Sequence, residues 1–153
     1  MDLGALYEEV ILDHNRSPRN WGEIPDGRRV EGRNPLCGDR IALSLQLDGD
    51  VITDIRFMGE GCAISKASAS MMTQAIKGKT REEAEKLYDG FHNLVTGRST
   101  QDPADKSLGS LRAFAGVARF PTRVKCATMA WHAMREALAT GDGRREMGDG
   151  GGE

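Results

Sequence analysis

Cysteine is scarce in this chain and odd in number: Cys37, Cys62 and Cys126 are the three thiols among 153 residues. An odd count without an export signal argues against the paired framework of a disulfide-stapled secreted domain. Long apolar runs are absent too, and none approaches the roughly 20 residues of a membrane span. Positive charge is not in excess, with 21 Lys and Arg against 23 Asp and Glu and a formal charge of −2. That balance lacks the basic surface of a general nucleic-acid binder. The N-terminus carries Asp2, Glu8 and Glu9 and no uninterrupted apolar stretch, so no signal peptide and a cytoplasmic location are expected. Against these absences stands an apolar content of 39%, enough for a core. One domain is expected over 1–140, followed by a Gly-rich polar tail over 141–153 that is expected to be disordered.

Leu3, Leu6, Tyr7, Val10, Ile11 and His14 recur at helical spacing behind Asp2, a candidate N-cap. Ser17-Pro18 ends that helix, because the residue before a proline disfavours the α conformation. A turn-rich stretch through Trp21, Pro25 and Gly27 leads to a short edge strand near 29–33. Ile41, Leu43, Leu45 and Leu47 then alternate with Arg40, Ala42, Ser44 and Gln46, the period of a half-buried strand. Asp48-Gly49-Asp50 marks a hairpin turn into a second strand carrying Val51, Ile55 and Phe57. Gly59-Glu60-Gly61 is expected to break that strand.

A helix over 62–77 follows, with Ile64, Ala67, Met71, Ala75 and Ile76 as its apolar stripe and Gly78 as its stop. Thr80 and Glu83 form a capping-box pair opening a helix whose face carries Ala84, Leu87, Tyr88, Phe91 and Val95. Residues 97–105 read as a loop, and a short helix runs through Leu108, Leu111 and Ala115. A last long helix over 121–140 starts at Pro121 and packs Val124, Ala127, Trp131, Met134 and Leu138. Strands early and helices late predict an α+β fold.

The thiols fall at the ends of these elements. Cys37 precedes the clearest strand; if the extended conformation holds through Gly38, Cys37 and Asp39 share one face. Cys62 opens a helix, where the partial positive charge of the N-terminus favours thiolate. Cys126 lies in the first turns of the final helix, above a stripe of Ala130, Ala133 and Ala137. Three thiols and one carboxylate make four donors, the number zinc takes in a tetrahedron. Free cysteines are also common as small buried hydrophobes. His132 lies six residues beyond Cys126, roughly 240° around the helix, so the two cannot share a metal. His14 and His92 read as partly buried or surface histidines.

Asn34-Pro35-Leu36-Cys37-Gly38-Asp39, Gly59-Glu60-Gly61-Cys62-Ala63-Ile64-Ser65 and Arg123-Val124-Lys125-Cys126-Ala127 resemble the three cysteine motifs of the NifU/IscU-like family of iron–sulfur cluster assembly. The resemblance runs from the first helix to about residue 140. Within the family the chain is similar to the SufU type rather than the scaffold type. Scaffold members carry a histidine immediately before the third cysteine, where this chain has Lys125. They also carry a Leu-Pro-Pro-Val-Lys segment read by a chaperone, where this chain has Phe120-Pro121-Thr122-Arg123-Val124. An extra segment before the last helix, as at 98–118, is another SufU-type feature. The resemblance implies a small antiparallel sheet of about three strands covered on one side by helices, and zinc held by Cys37, Asp39, Cys62 and Cys126.

It further implies a sulfurtransferase that takes persulfide sulfur from a SufS-type cysteine desulfurase and hands it to a downstream iron–sulfur scaffold. Neither nucleic acid nor membrane is an expected partner. A metal-bound thiol is deprotonated but also quieted, so the acceptor must be a ligand able to leave. Cys37, in a glycine-flanked loop, is the expected acceptor, its place on zinc taken by a desulfurase histidine. Cys62 and Cys126 are then the lasting ligands and Asp39 an adjustable one. Arg123, at i−3 from Cys126, is either an auxiliary cation for Asp39 and the released thiolate or a solvated helix-end charge. Two rivals stand beside this. One is a scaffold building a transient [2Fe–2S] cluster on the same four residues. The other is a zinc-stabilised adaptor that regulates the desulfurase without carrying sulfur.

Overall fold

The alternation around residues 40–47 is the central strand of the sheet. In a computed structural model, which describes residues 3–34, 38–97, 108–139 and 146–147, β2 (Asp39–Asp48) pairs antiparallel with β1 (Arg28–Asn34) on one side and β3 (Val51–Glu60) on the other. Ile41, Leu43 and Leu45 of β2 and Ile52, Ile55 and Phe57 of β3 are all buried. Their common face is covered by two helices. α4 (Pro121–Ala139) lies across β1 and β2, and α2 (Ala63–Ile76) lies across β3 and against α4. α1 (Leu3–Arg16) packs on α2, while α3 (Arg81–Val95) and a 3-10 helix (Gly109–Arg119) close the far side of α4. The class is α+β, with helices on one side of a three-stranded antiparallel sheet. Among the described residues no helix is long and apolar enough to cross a membrane.

Local sequence explains most element ends. Thr80 and Glu83 exchange both capping-box bonds at the start of α3, Thr80 N–H to Glu83 Oε1 at 2.9 Å and Glu83 N–H to Thr80 Oγ1 at 3.1 Å. At the far end of α4 the Arg28 and Arg81 guanidiniums donate to the carbonyls of Ala137 (3.0 Å) and Leu138 (2.5 Å), which the helix itself leaves unpaired. α2 is surrounded on several sides, and its buried hydroxyls tie it to its neighbours. Ser70 Oγ lies 2.7 Å from His14 Nδ1 and accepts the Arg19 N–H at 2.8 Å, and Thr73 Oγ1 accepts from Asn20 Nδ2 at 3.0 Å. Phe91 stacks on Trp131 with ring centroids 4.6 Å apart and meets Phe114 edge-on, joining α3, α4 and the 3-10 helix in one aromatic cluster.

Four expectations need correction or bounding. Gly59 and Glu60 do not break β3 but continue it, pairing with Ile41 and Arg40. A Cβ at Gly59 would overlap the Arg40 carbonyl, so glycine there permits close strand pairing rather than ending it. The helix through Leu108, Leu111 and Ala115 is a 3-10 helix, in which residues three apart align. Its buried face is therefore Leu111, Phe114 and Val117, and Ala115 is exposed. Within the tail over 141–153 the described residues are Glu146 and Met147. These residues (β4, Glu146–Met147) pair in parallel with Glu31 and Gly32 at the edge of β1, giving the order β3-β2-β1-β4. The rest of the tail and residues 98–105 of the expected loop lie outside the described residues.

His14 is 6% exposed, and burial first, then the Arg19 guanidinium, holds its pKa below the ordinary imidazole value of 6.5. The unfolded chain therefore binds more protons than the folded one once the pH drops below that value. Stability is fully present above about pH 6.5 and is lost as the pH falls toward the depressed folded value. Urea midpoints measured between neutral and mildly acidic pH are expected to fall in the wild type and to fall less in His14→Gln. An equal slope in both would assign the pH dependence elsewhere. Thr80→Ala, which removes the cap far from the thiols, is expected to cost about 1 kcal/mol in the same measurement.

Candidate metal centre

Asp39, Cys62 and Cys126 come from three different elements and meet at one end of the sheet. Asp39 is the first residue of β2, on the same face as Ile41 and Leu43, and is only 2% exposed. Cys62 is the N-cap of α2, in extended conformation (φ −74°, ψ 171°), and is solvent-exposed. Cys126 is in the second turn of α4 and is buried. One ligand atom from each lies within 4.8 Å of the other two, and this is the group of such donors found among the described residues.

A buried carboxylate needs partners, and this one finds them on α2. Asp39 Oδ1 accepts the Cys62 backbone N–H at 3.1 Å, and Oδ2 lies 3.7 Å from Cys62 Sγ. The carboxylate thus sits at the positive end of α2 and receives a donor that the helix leaves free. In an ordinary capping box that donor is taken by a side chain three residues on. Here the residue three on is Ser65, whose Oγ donates instead to the Cys62 carbonyl at 3.1 Å and lies 3.9 Å from Cys62 Sγ. Gly61 makes the close approach possible: a Cβ there would stand 2.5 Å from Ser65 Oγ and 2.8 Å from Asp39 Oδ1.

The donor set suits a thiophilic divalent ion. Two sulfurs and one oxygen are ligands zinc accepts, and three protein ligands leave one position of a tetrahedron to be supplied. Asp39, Cys62 and Cys126 are the residues that would hold such an ion. The fourth expected donor, Cys37, lies outside the described residues. Gly38 beside it has φ +75°, in the left-handed region, so the extended conformation expected through Gly38 does not hold. Arg123 is exposed, with its guanidinium 5.8 Å from the centroid of the Phe120 ring, and makes no ion pair with Asp39 among the described residues. Lys125 is likewise exposed. The three histidines stand apart from the site. His14 bonds Ser70, while His92 and His132 pack around Tyr88, whose hydroxyl lies 2.9 Å from His132 Nδ1.

The fold and the donor cluster define a small α+β domain that gathers cysteine and aspartate ligands at an open end of its sheet. Comparison with known proteins gives that class its family. The NifU-like N-terminal domain profile matches residues 6–127. The zinc-dependent sulfurtransferase SufU of Bacillus subtilis is 48% identical over 93% of this chain and 95% of its own. The iron–sulfur cluster assembly scaffold protein IscU of Streptococcus pyogenes is 47% identical over 89% of this chain and 84% of its own. A crystal structure from Fervidobacterium islandicum, described as a candidate iron–sulfur cluster assembly scaffold protein of the SUF system, superposes with a TM-score of 0.80. It is 36% identical and covers 88% of this chain and 97% of its own. The chain belongs to the NifU/IscU-like family of iron–sulfur cluster assembly, with relatives of both the SufU and the IscU type.

Gly61 offers a direct probe of the site. Gly61→Ala forces the Ser65 hydroxyl or the Asp39 carboxylate aside, so zinc affinity measured against a chelator is expected to fall on the order of tenfold in a chain that still folds. Wild-type affinity in this variant would overturn the assignment of Gly61 as the residue that makes room for the metal donors.

Proposed function

We propose that this protein is a zinc-dependent sulfur acceptor in iron–sulfur cluster assembly, receiving sulfane sulfur from a cysteine desulfurase on Cys37. The observation that carries the proposal is the convergence of Asp39, Cys62 and Cys126 from three different elements. A donor triad held by β2, α2 and α4 can keep a metal while a fourth ligand comes and goes. Support comes also from the similarity to a protein named as a zinc-dependent sulfurtransferase.

In this reading zinc is held by Cys37, Asp39, Cys62 and Cys126, and when bound it keeps its cysteine ligands as thiolates at neutral pH. The chain's own residues do the rest. Asp39, Cys62 and Cys126 remain in place because each is fixed on a core element. Cys37 would be the donor that gives up its place to a side chain of the desulfurase, a histidine in this proposal. The Cys37 thiolate then attacks the terminal sulfur of the donor's cysteine persulfide. A bond forms from Cys37 Sγ to that sulfur, the donor's sulfur–sulfur bond breaks, and the electron pair stays on the desulfurase cysteine as thiolate. Cys37 thereby carries the persulfide, and a downstream scaffold is its next acceptor. Arg123, exposed one turn from Cys126, is available to the incoming partner rather than engaged with Asp39.

The second reading is a scaffold that builds a [2Fe–2S] cluster on the same four residues, favoured by the similarity to a protein named IscU. The residue before the third cysteine is Lys125, which supplies no imidazole ligand. Aerobically purified protein is expected to hold one zinc and no visible chromophore; a red-brown protein with little zinc would favour the scaffold. After incubation with desulfurase and cysteine, mass spectrometry is expected to find one added sulfur on the peptide bearing Cys37. Cys37→Ala is expected to stay folded and to lose both the adduct and the stimulation of desulfurase turnover. If Cys37→Ala still stimulates turnover as the wild type does, Cys37 is not the acceptor and a regulatory adaptor is the better description.

A further inference from the structure

We infer that Ser68 is a positioning residue for the metal centre. It fixes the register of α4 against α2, and with it the distance of Cys126 from Cys62 and Asp39. The inference rests on the metal-binding reading above and assigns a task to a residue six positions beyond Cys62 on α2.

The need for such a device follows from the side chains at the α2–α4 contact. Ala67 on α2 and Ala127 and Ala130 on α4 are all buried and all small. Small side chains beside the Ser68–Ala127 contact present shallow ridges, so packing there fixes the axial position of the two helices weakly. The site, however, asks for ligand atoms within a few ångströms across this contact. Cys62 is already tied to β2 through the Asp39 carboxylate. Cys126 is on the other helix.

Ser68 supplies the tie between the helices. Its side chain is fully buried, and its hydroxyl donates to the Ala127 carbonyl at 2.5 Å while accepting the Trp131 indole N–H at 3.2 Å. Ala127 follows Cys126 directly, and Trp131 is one helical turn further on. One hydroxyl therefore reads two successive turns of α4, giving its proton to one and receiving a proton from the other. A slip of α4 along α2 would leave a buried hydroxyl and a buried indole N–H without partners, which a dry interior penalises. Trp131 is held in turn by its stack on Phe91, so the indole cannot follow a slip freely.

The test uses the full chain and Co2+ as the metal probe, because the visible spectrum of cobalt reports its ligands and geometry. Wild type, Ser68→Ala, Trp131→Phe and Thr80→Ala are compared by Co2+ titration against a chelator, by the spectrum of the loaded protein, and by urea unfolding of the metal-free protein. Ser68→Ala is expected to lose about tenfold or more in Co2+ affinity with an altered spectrum. Thr80→Ala, which removes a distant cap, is expected to keep the wild-type affinity and spectrum even where it is equally destabilised. Trp131→Phe retains the bond to Ala127 and is expected to fall between them. It decides the matter if Ser68→Ala does not fold, since wild-type binding by Trp131→Phe would then overturn the inference. A folded Ser68→Ala with wild-type affinity and spectrum overturns it as well. Failure of the wild type itself to bind Co2+ would instead overturn the metal-binding reading beneath it.

Discussion

The Asp39 carboxylate at the N-terminus of α2 is the constraint around which this molecule is organised. A carboxylate that is 2% exposed is costly unless its oxygens find donors. Asp39 meets that demand with the Cys62 N–H, a group that the start of a helix leaves unpaired. The bond joins residues 23 apart in sequence and holds the first turn of α2 against the first residue of β2. Everything else at the site follows from it. Gly61 leaves room for the Ser65 hydroxyl and the Asp39 carboxylate, both of which a Cβ there would meet. Cys62 takes the N-cap position and keeps its thiol exposed, and Ser65 turns back to the Cys62 carbonyl.

The three donors differ in how they are held, and that difference matters for chemistry. Cys126 is buried and set in a long helix; Asp39 is buried at the head of the central strand; Cys62 is exposed at a helix end. The set is therefore anchored from below and open from above. A centre of this kind suits exchange of one ligand, because the departing ligand need not disturb the others. It suits equally a partner that approaches from solvent. The exposed Phe120, with the Arg123 guanidinium over its ring, stands at the same end of α4 as Cys126.

Much of this was legible in the sequence wherever the cause was local. The alternation of Ile41, Leu43 and Leu45, the Thr80–Glu83 capping box and the position of Pro121 each named an element and its end. Cys62 and Cys126 were legible because each stands near the start of a helix. What sequence hid was non-local. Gly59 looks like a breaker until the Arg40 carbonyl is seen where its Cβ would be. Leu108, Leu111 and Ala115 fit α-helical spacing, and only the 3-10 geometry moves Phe114 and Val117 inward in place of Ala115. Ser65 and Ser68 sit in a serine- and alanine-rich helix where nothing distinguishes one hydroxyl from another. Their roles come from a carbonyl in their own turn and from a helix some 60 residues away. Glu146 and Met147 pair with Glu31 and Gly32, which are far away in sequence.

The central claim is that Asp39, Cys62 and Cys126 hold the metal by themselves while Cys37 is a ligand that can leave. X-ray absorption at the zinc edge of the purified wild type and of Cys37→Ala tests it most directly. The expected result is zinc bound in both, with three sulfur neighbours and one oxygen in the wild type and one sulfur replaced by a lighter atom in the variant. Loss of zinc from Cys37→Ala, or an unchanged sulfur count, would contradict the account.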